Sequence, residues 1–179
     1  MILTHLTTNN ITSAVSSSNF TSNIDSTYDE YMFFWYGIVL AAQNEFAFNA
    51  STDGGSNYNV TKTTTYFSAV HSEDDTSHAE VSLKTAGDRQ QSTSYQKLSK
   101  ELQNDSDDGA AGVLHIFNPS NTTYVKQFFA RGLCHSTSNA SHDIFAAGYL
   151  NTTSAVDAIQ FLQGGGNINT GVIKLFGVA

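Results

Sequence analysis

The chain contains one cysteine and one proline in 179 residues. Cys134 has no partner for an intrachain disulfide, which excludes the small cross-linked scaffolds common among secreted domains. Pro119 makes no proline-rich linker and no composition shift divides the chain. A single domain over 1–179 is therefore expected, with residues 1–10 as a short extended N-terminal arm. Charge is scarce as well, at 13% of residues, and 8 basic against 16 acidic side chains give a net charge of −8. Nucleic-acid binding requires a basic stripe that displaces counterions from phosphates, and the sequence has none. The longest apolar stretch, "YMFFWYGIVLAA", is too short to span a bilayer, so no membrane insertion is expected. The opening "MILTHLTTNN" lacks the charged and apolar regions of a signal peptide, which predicts a soluble cytoplasmic product.

What the chain does have is Ser, Thr and Asn together with 12 Phe, 8 Tyr and one Trp. Aromatic and β-branched residues fit a pleated, half-buried surface. "YMFFWYGIVLA" reads as a central strand, apolar on both faces and hence covered on both. In "NEFAFNAS", Phe46 and Phe48 fall on one face. "TDGGSNY" carries the Asp-Gly signal of a hairpin and leads into the β-branched "NVTKTTTYFSAV". Residues 72–110 are ambiguous. "SHAEVSLKTAG" fits a strand with Val81 and Leu83 inward; Tyr95, Leu98 and Leu102 fit a helix face, and the two leucines also fit a strand face. The runs "GVLHIFNP", "TTYVKQFFARGL", "DIFAAGYL", "AVDAIQFLQ" and "GVIKLFGV" then follow as strands between polar turns. In the second, Tyr124, Lys126, Phe128 and Ala130 share one face, and Val125, Gln127 and Phe129 the other. Such a series of short strands without a long helix predicts an all-β fold: an antiparallel two-sheet sandwich, in jelly-roll form, with a closed barrel as the alternative.

No motif for catalysis stands out. "QFLQGGGNINTGVIKLFG" has Gly166 and Gly171 at Walker spacing, but Val172 and Ile173 occupy the Lys and Ser/Thr positions. Phosphate loops also need a following helix N-terminus, and "GVIKLFGV" is a strand pattern. The stretch reads as the hairpin joining the last two strands, with Lys174 facing away from Ile173 and Leu175. "GGSNY" has Tyr58 where a nucleophile elbow needs glycine. Cys134 and His135 are adjacent, so a strand points them to opposite faces. The histidine pairs His71/His78 and His135/His142 fall at loop-like positions, with a cross-loop metal site as the sharper reading. Aligned on Gly109, "NDSDDG" misses the calcium-loop pattern at Ser106 and His115. The remaining acids, among them Asp25, Asp29, Glu30, Glu73, Asp74, Asp75, Asp105, Asp107 and Asp108, read as loop solvation. Glu45 and Glu80 are the acids closest to strand patterns and the candidates for paired-carboxylate chemistry. Trp35, Tyr36, Tyr58 and Tyr66 are candidates for a sugar-stacking platform, with core packing the better reading for Trp35. No catalytic, cofactor-binding or metal residue is assigned, and no cofactor is expected.

Three ordered stretches carry a resemblance: "IDSTYDEYMFFW" with "FNASTDGGSNYN", then "GVLHIFNPSNTTYVKQFFAR", then "FAAGYLNTTSAVDAIQFLQGGGNINTGVIKLFGV". Together they resemble a β-domain of virion structural proteins in tailed phages of marine bacteria. The matching positions are Asp25, Tyr28, Asp29 and Tyr31; Asp53, Gly54, Gly55 and Tyr58; and Val156 to Phe161 with Ile173 to Gly177, Phe176 replacing a tyrosine. The resemblance implies a particle component; together with the acidic, proline-poor β pattern it gives the expectation of a non-enzymatic structural protein of the outer virion surface, as capsid decoration, head fibre or tail fibre, assembled in the host cytoplasm. It implies other virion proteins, such as major capsid or tail proteins, as partners and a homo-oligomer, with a trimer favoured by particle symmetry. The alternative expectation is a receptor- or carbohydrate-binding module that engages a host surface glycan.

Overall fold

The computed structural model describes residues 2–103 and 108–179. The calcium-loop reading and the acids Asp105 and Asp107 fall outside the described residues. In chain order the strands are β1 (Leu3–Ile11), β2 (Ser17–Phe20), β3 (Glu30–Leu40), β4 (Phe46–Ser51), β5 (Lys62–Ser72), β6 (Ala79–Leu83), β7 (Arg89–Ser92) and β8 (Gln96–Lys97). After them come β9 (Ala110–Phe117), β10 (Lys126–Ser136), β11 (Ala140–Leu150), β12 (Ala158–Gln163) and β13 (Ile168–Val178). The described helical content is one 3-10 turn at Thr85–Gly87.

The strands form two antiparallel sheets, as the alternating patterns predict. Nine strands make the large sheet in the order β1-β13-β3-β9-β10-β11-β5-β6, with β7 also on β5; the small sheet is β2-β12-β4-β8. Each small-sheet strand is flanked in sequence by strands of the large sheet, so the chain crosses over and returns four times. This order establishes a sandwich and does not by itself establish the jelly roll. Residues 3–11 are paired along β13 as an edge strand.

The crossings revise both hairpin readings. β4 and β5 flank "TDGGSNY", and β12 and β13 flank "GGGN", yet each pair divides between the sheets. These turns are corners. The first is built on Asp53, whose carboxylate accepts from the Ser51 hydroxyl at 2.6 Å, the Asn57 N–H at 2.9 Å and the Asn57 amide at 2.7 Å. Gly54 and Gly55 have φ of +71° and +86°, a region that disfavours side chains. At the second corner the buried Gln163 accepts from the Ala41 N–H at 3.1 Å and donates to the Ala42 carbonyl at 2.9 Å. It thereby ties the β12–β13 corner to the β3–β4 corner.

Between the sheets lies an aromatic core. Phe161 on β12 contacts Phe20, Phe33, Trp35, Phe46 and Phe48, with ring centroids 5.4–6.4 Å apart. Trp35 is core, as read from sequence, and Phe46 and Phe48 are fully buried together. On β10, Lys126, Phe128 and Ala130 are buried while Gln127 and Phe129 are exposed, matching the alternation from Lys126 onward; Tyr124 and Val125 precede the strand, and Tyr124 is exposed. Lys126 is buried because its ammonium donates to the carbonyls of Tyr124, Thr152 and Ser154 at 2.7–3.1 Å. The expectation that β3 is covered on both faces is overturned. Tyr31, Phe33 and Trp35 face the small sheet, but Phe34 is half-buried and Tyr36 is 47% exposed on the outer side. On this outer side Met32 is buried among its neighbours, but no third layer covers Phe34 and Tyr36 among the described residues.

Candidate binding recess

The two sheets are unequal in width, and the difference creates the site. β8, the last strand of the small sheet, has only two residues, so the inner faces of β5, β6 and β11 extend past its edge. Leu98 and Leu102 turn inward after β8 and are buried. Beyond them a recess of about 560 Å³ remains. Its inner wall is the buried side of the large sheet, carrying Ser68, Val70, His142 and Ile144. Its mouth carries Glu45 with Lys97 and Glu80 with Lys84, ion-paired at 2.5 Å and 2.8 Å, together with Lys100 and His78.

Charge distinguishes this place from the rest of the molecule. Lys84, Lys97 and Lys100 are half of the six lysines in the chain, gathered in a protein of net charge −8. The ammonium of Lys100 makes no ion pair among the described residues. His142 is buried on β11, and burial, followed by the positive charges of Lys100, Lys84 and His78, pushes its pKa down to about 4. The ring is therefore neutral at pH 7. Among the described residues neither ring nitrogen has a hydrogen-bond partner, and the buried Ser68 hydroxyl has none. Leaving a buried polar group unsatisfied costs about 1–3 kcal/mol, and such sites are where native structures hold water or ligand. Val70 and Ile144 add apolar wall beside these groups. The arrangement suits a small polar ligand with an anionic group. Nucleophilic catalysis needs a nucleophile hydrogen-bonded to a base, and the recess shows no such pair among the described residues.

The site residues read from sequence are regrouped. Glu45 and Glu80 do reach one recess, but each carboxylate is held by a lysine. Of the four paired histidines, His71, His135 and His142 lie in strands, against the loop-like placement expected of them. The structure joins His71 with His135 at one depression and His78 with His142 in the recess. No group of three His, Cys, Asp or Glu suited to a metal occurs among the described residues. Cys134 and His135 point to opposite faces: Cys134 is buried with its thiol pushed up to about 11 by burial, and His135 bonds Asp108 at 2.5 Å. The stacking platform is not assembled, since Trp35 and Tyr66 are buried, Tyr36 lies on the outer face under Lys174, and Tyr58 packs at the Gly55 corner. Val81 and Leu83 form a strand as expected but point outward, 71% and 69% exposed. The inner side of β6 borders the polar recess, so Glu80 lines it while the side chains of Val81 and Leu83 turn to the outer side. Sequence reasoning missed His142 and Ser68 as a pair; their only signal was polarity at inward positions of strands.

The fold and recess define an all-β sandwich domain with one open inner edge. No family model matches the chain. No curated protein matches it. Among solved structures, the chain is similar to an exo-inulinase from Aspergillus awamori at 10% identity and a TM-score of 0.48, covering 98% of this chain and 29% of that one.

Proposed function

We propose that the chain is a non-enzymatic structural domain of the outer surface of a tailed-phage virion, in capsid decoration, a head fibre or a tail fibre. The observation that carries this reading is the outer face of the nine-stranded sheet. Phe67 and Phe145 stack there at 4.8 Å, His115 and Phe129 at 4.3 Å, and Phe34 meets Phe176 at 5.6 Å. Phe129 and Leu133 are 43% and 48% exposed. Exposed apolar side chains on a sheet face, beside the Arg131–Asp143 pair, support a surface for neighbouring subunits, to which virion proteins or further copies in a trimer would dock. The motif residues behind the resemblance also serve the scaffold. Asp25 accepts from the Thr27 N–H at 2.8 Å, Asp53 builds its corner, and the Tyr28 ring lies where a side chain at Gly177 would stand. Immunogold labelling or a density map of intact particles tests the reading. Signal on the particle exterior is expected; absence of the chain from purified particles overturns it.

The recess favours a second reading, a receptor- or carbohydrate-binding module of the same domain. Neutral His142, the Ser68 hydroxyl and Lys100 suit a saccharide bearing a carboxylate, whose ring carbons rest on Val70 and Ile144. NMR titration with glucuronic acid, with glucose as the neutral control, tests it. Shifts at His142 and Lys100 with the acid alone are expected, and identical spectra throughout the titration overturn it.

A further inference from the structure

β6 closes one side of the large sheet and, among the described residues, pairs with β5 alone. The direction of each backbone group follows from two bonds: Lys84 N–H donates to the Tyr66 carbonyl at 3.0 Å, and Ser72 N–H to the His78 carbonyl at 2.8 Å. Antiparallel pairing alternates, so residues 78, 80, 82 and 84 bond toward β5. The N–H and C=O groups of Ala79, Val81 and Leu83 therefore face the open side. An unpaired edge with exposed apolar residues is a template for another strand.

The side chains along this edge specify which strand. Glu80, Val81, Ser82, Leu83 and Lys84 read acid, apolar, small polar, apolar, base, a pattern complementary to its own reverse. We propose that β6 pairs antiparallel with β6 of a second copy, about a two-fold axis through Ser82. In that register Ser82 faces the partner's Ser82, Val81 faces the partner's Leu83, and Glu80 faces the partner's Lys84. Hydrogen bonding permits it, because Val81 and Leu83 both present outward backbone groups and form the bonded pairs. A shift by one residue sets an outward group against one already bonded to β5. Centring on Val81 or Leu83 satisfies the backbone but leaves Glu80 and Lys84 without opposite charges facing them.

Within one copy Glu80 and Lys84 already pair at 2.8 Å, with side chains 52% and 34% exposed. Such a pair contributes little to stability, so exchanging it for two equivalent pairs across the axis costs little. The gain comes from covering Val81 and Leu83 and satisfying the edge. The contact is isologous and independent of the particle reading; its failure leaves that reading standing.

Sedimentation of the full chain across a concentration series tests the pairing. Wild type is expected to shift from monomer to dimer as concentration rises. Glu80→Lys places lysine opposite lysine twice across the axis, and Lys84→Glu places glutamate opposite glutamate twice. Each is expected to weaken dimerisation by roughly tenfold or more, since like charges directly opposite destabilise a strand pair. An equimolar mixture of the two variants restores both opposite-charge contacts and is expected to recover wild-type association as a heterodimer. Circular dichroism of each variant separates loss of pairing from loss of fold. A wild type that stays monomeric, charge variants that dimerise like wild type, or a mixture no stronger than its components overturns the proposal.

Discussion

His142 shows how one side chain links burial to acid response. The unfolded chain takes up a proton at the ordinary histidine value of 6.5, whereas the native ring does so only near 4. Between those values the unfolded state binds more protons, so native stability falls as pH drops from 6.5 toward 4. His142→Leu removes this linkage and two unsatisfied nitrogens. The variant is expected to lose about 1–2 kcal/mol less than wild type between pH 7.5 and pH 5, read from urea midpoints at both values. An equal loss in both proteins shows that other groups carry the acid response. Lys62 contrasts with it: also fully buried, it donates to the Ser94 carbonyl at 2.8 Å, and burial followed by the charge of Arg89 lowers its pKa to about 7. Its contribution runs to the alkaline side, stability rising with pH above 7 as the unfolded amine alone stays protonated.

Elements are specified partly by their own patterns and partly by what lies opposite. The "DGG" corner is local, and its glycines differ in what a methyl group would meet. At Gly54 a side chain finds open space, leaving only the left-handed backbone penalty of roughly 1–2 kcal/mol. At Gly55 it also stands 2.7 Å from the Tyr58 hydroxyl and 2.8 Å from a Thr21 methyl. Thermal melts should therefore place Gly55→Ala below Gly54→Ala; the reverse order shows that the Tyr58 ring yields freely. Strand positions and turn residues were legible in the sequence because alternation and Asp-Gly chemistry act over a few residues. The sheet to which each strand belongs was not, since β4 and β12 differ from their neighbours only in burial on both sides of the corner. For the same reason Val81 and Leu83 read as inward: their alternation is real, but its sense depends on the recess beyond β8, which is set by residues distant in sequence. The candidate site was legible only as separate acids, lysines and histidines, and their gathering is a consequence of unequal sheet widths.

The whole molecule has two apolar surfaces, and only one of them is its core. Phe161 stands at the centre of the inner surface, fully buried among five other aromatic rings. Phe129 lies on the outer surface, 43% exposed, with His115 as its stacking neighbour. Removing a buried ring leaves a cavity that neighbours on all sides fail to fill, whereas removing a half-exposed ring leaves a space that water enters. Phe161→Ala is accordingly expected to cost about 3–5 kcal/mol. Phe129→Ser should cost less, about 1–3 kcal/mol, losing mainly partial burial and two ring contacts, with His115 and Phe117. Chemical denaturation of both variants makes the comparison. Equal losses would mean that the outer aromatic face holds the monomer together and is not held available for neighbours. If the expected gap appears, Phe129→Ser becomes a folded variant with an altered outer face. Its incorporation into particles then measures that face directly, because a defect in assembly can no longer be assigned to a defect in folding.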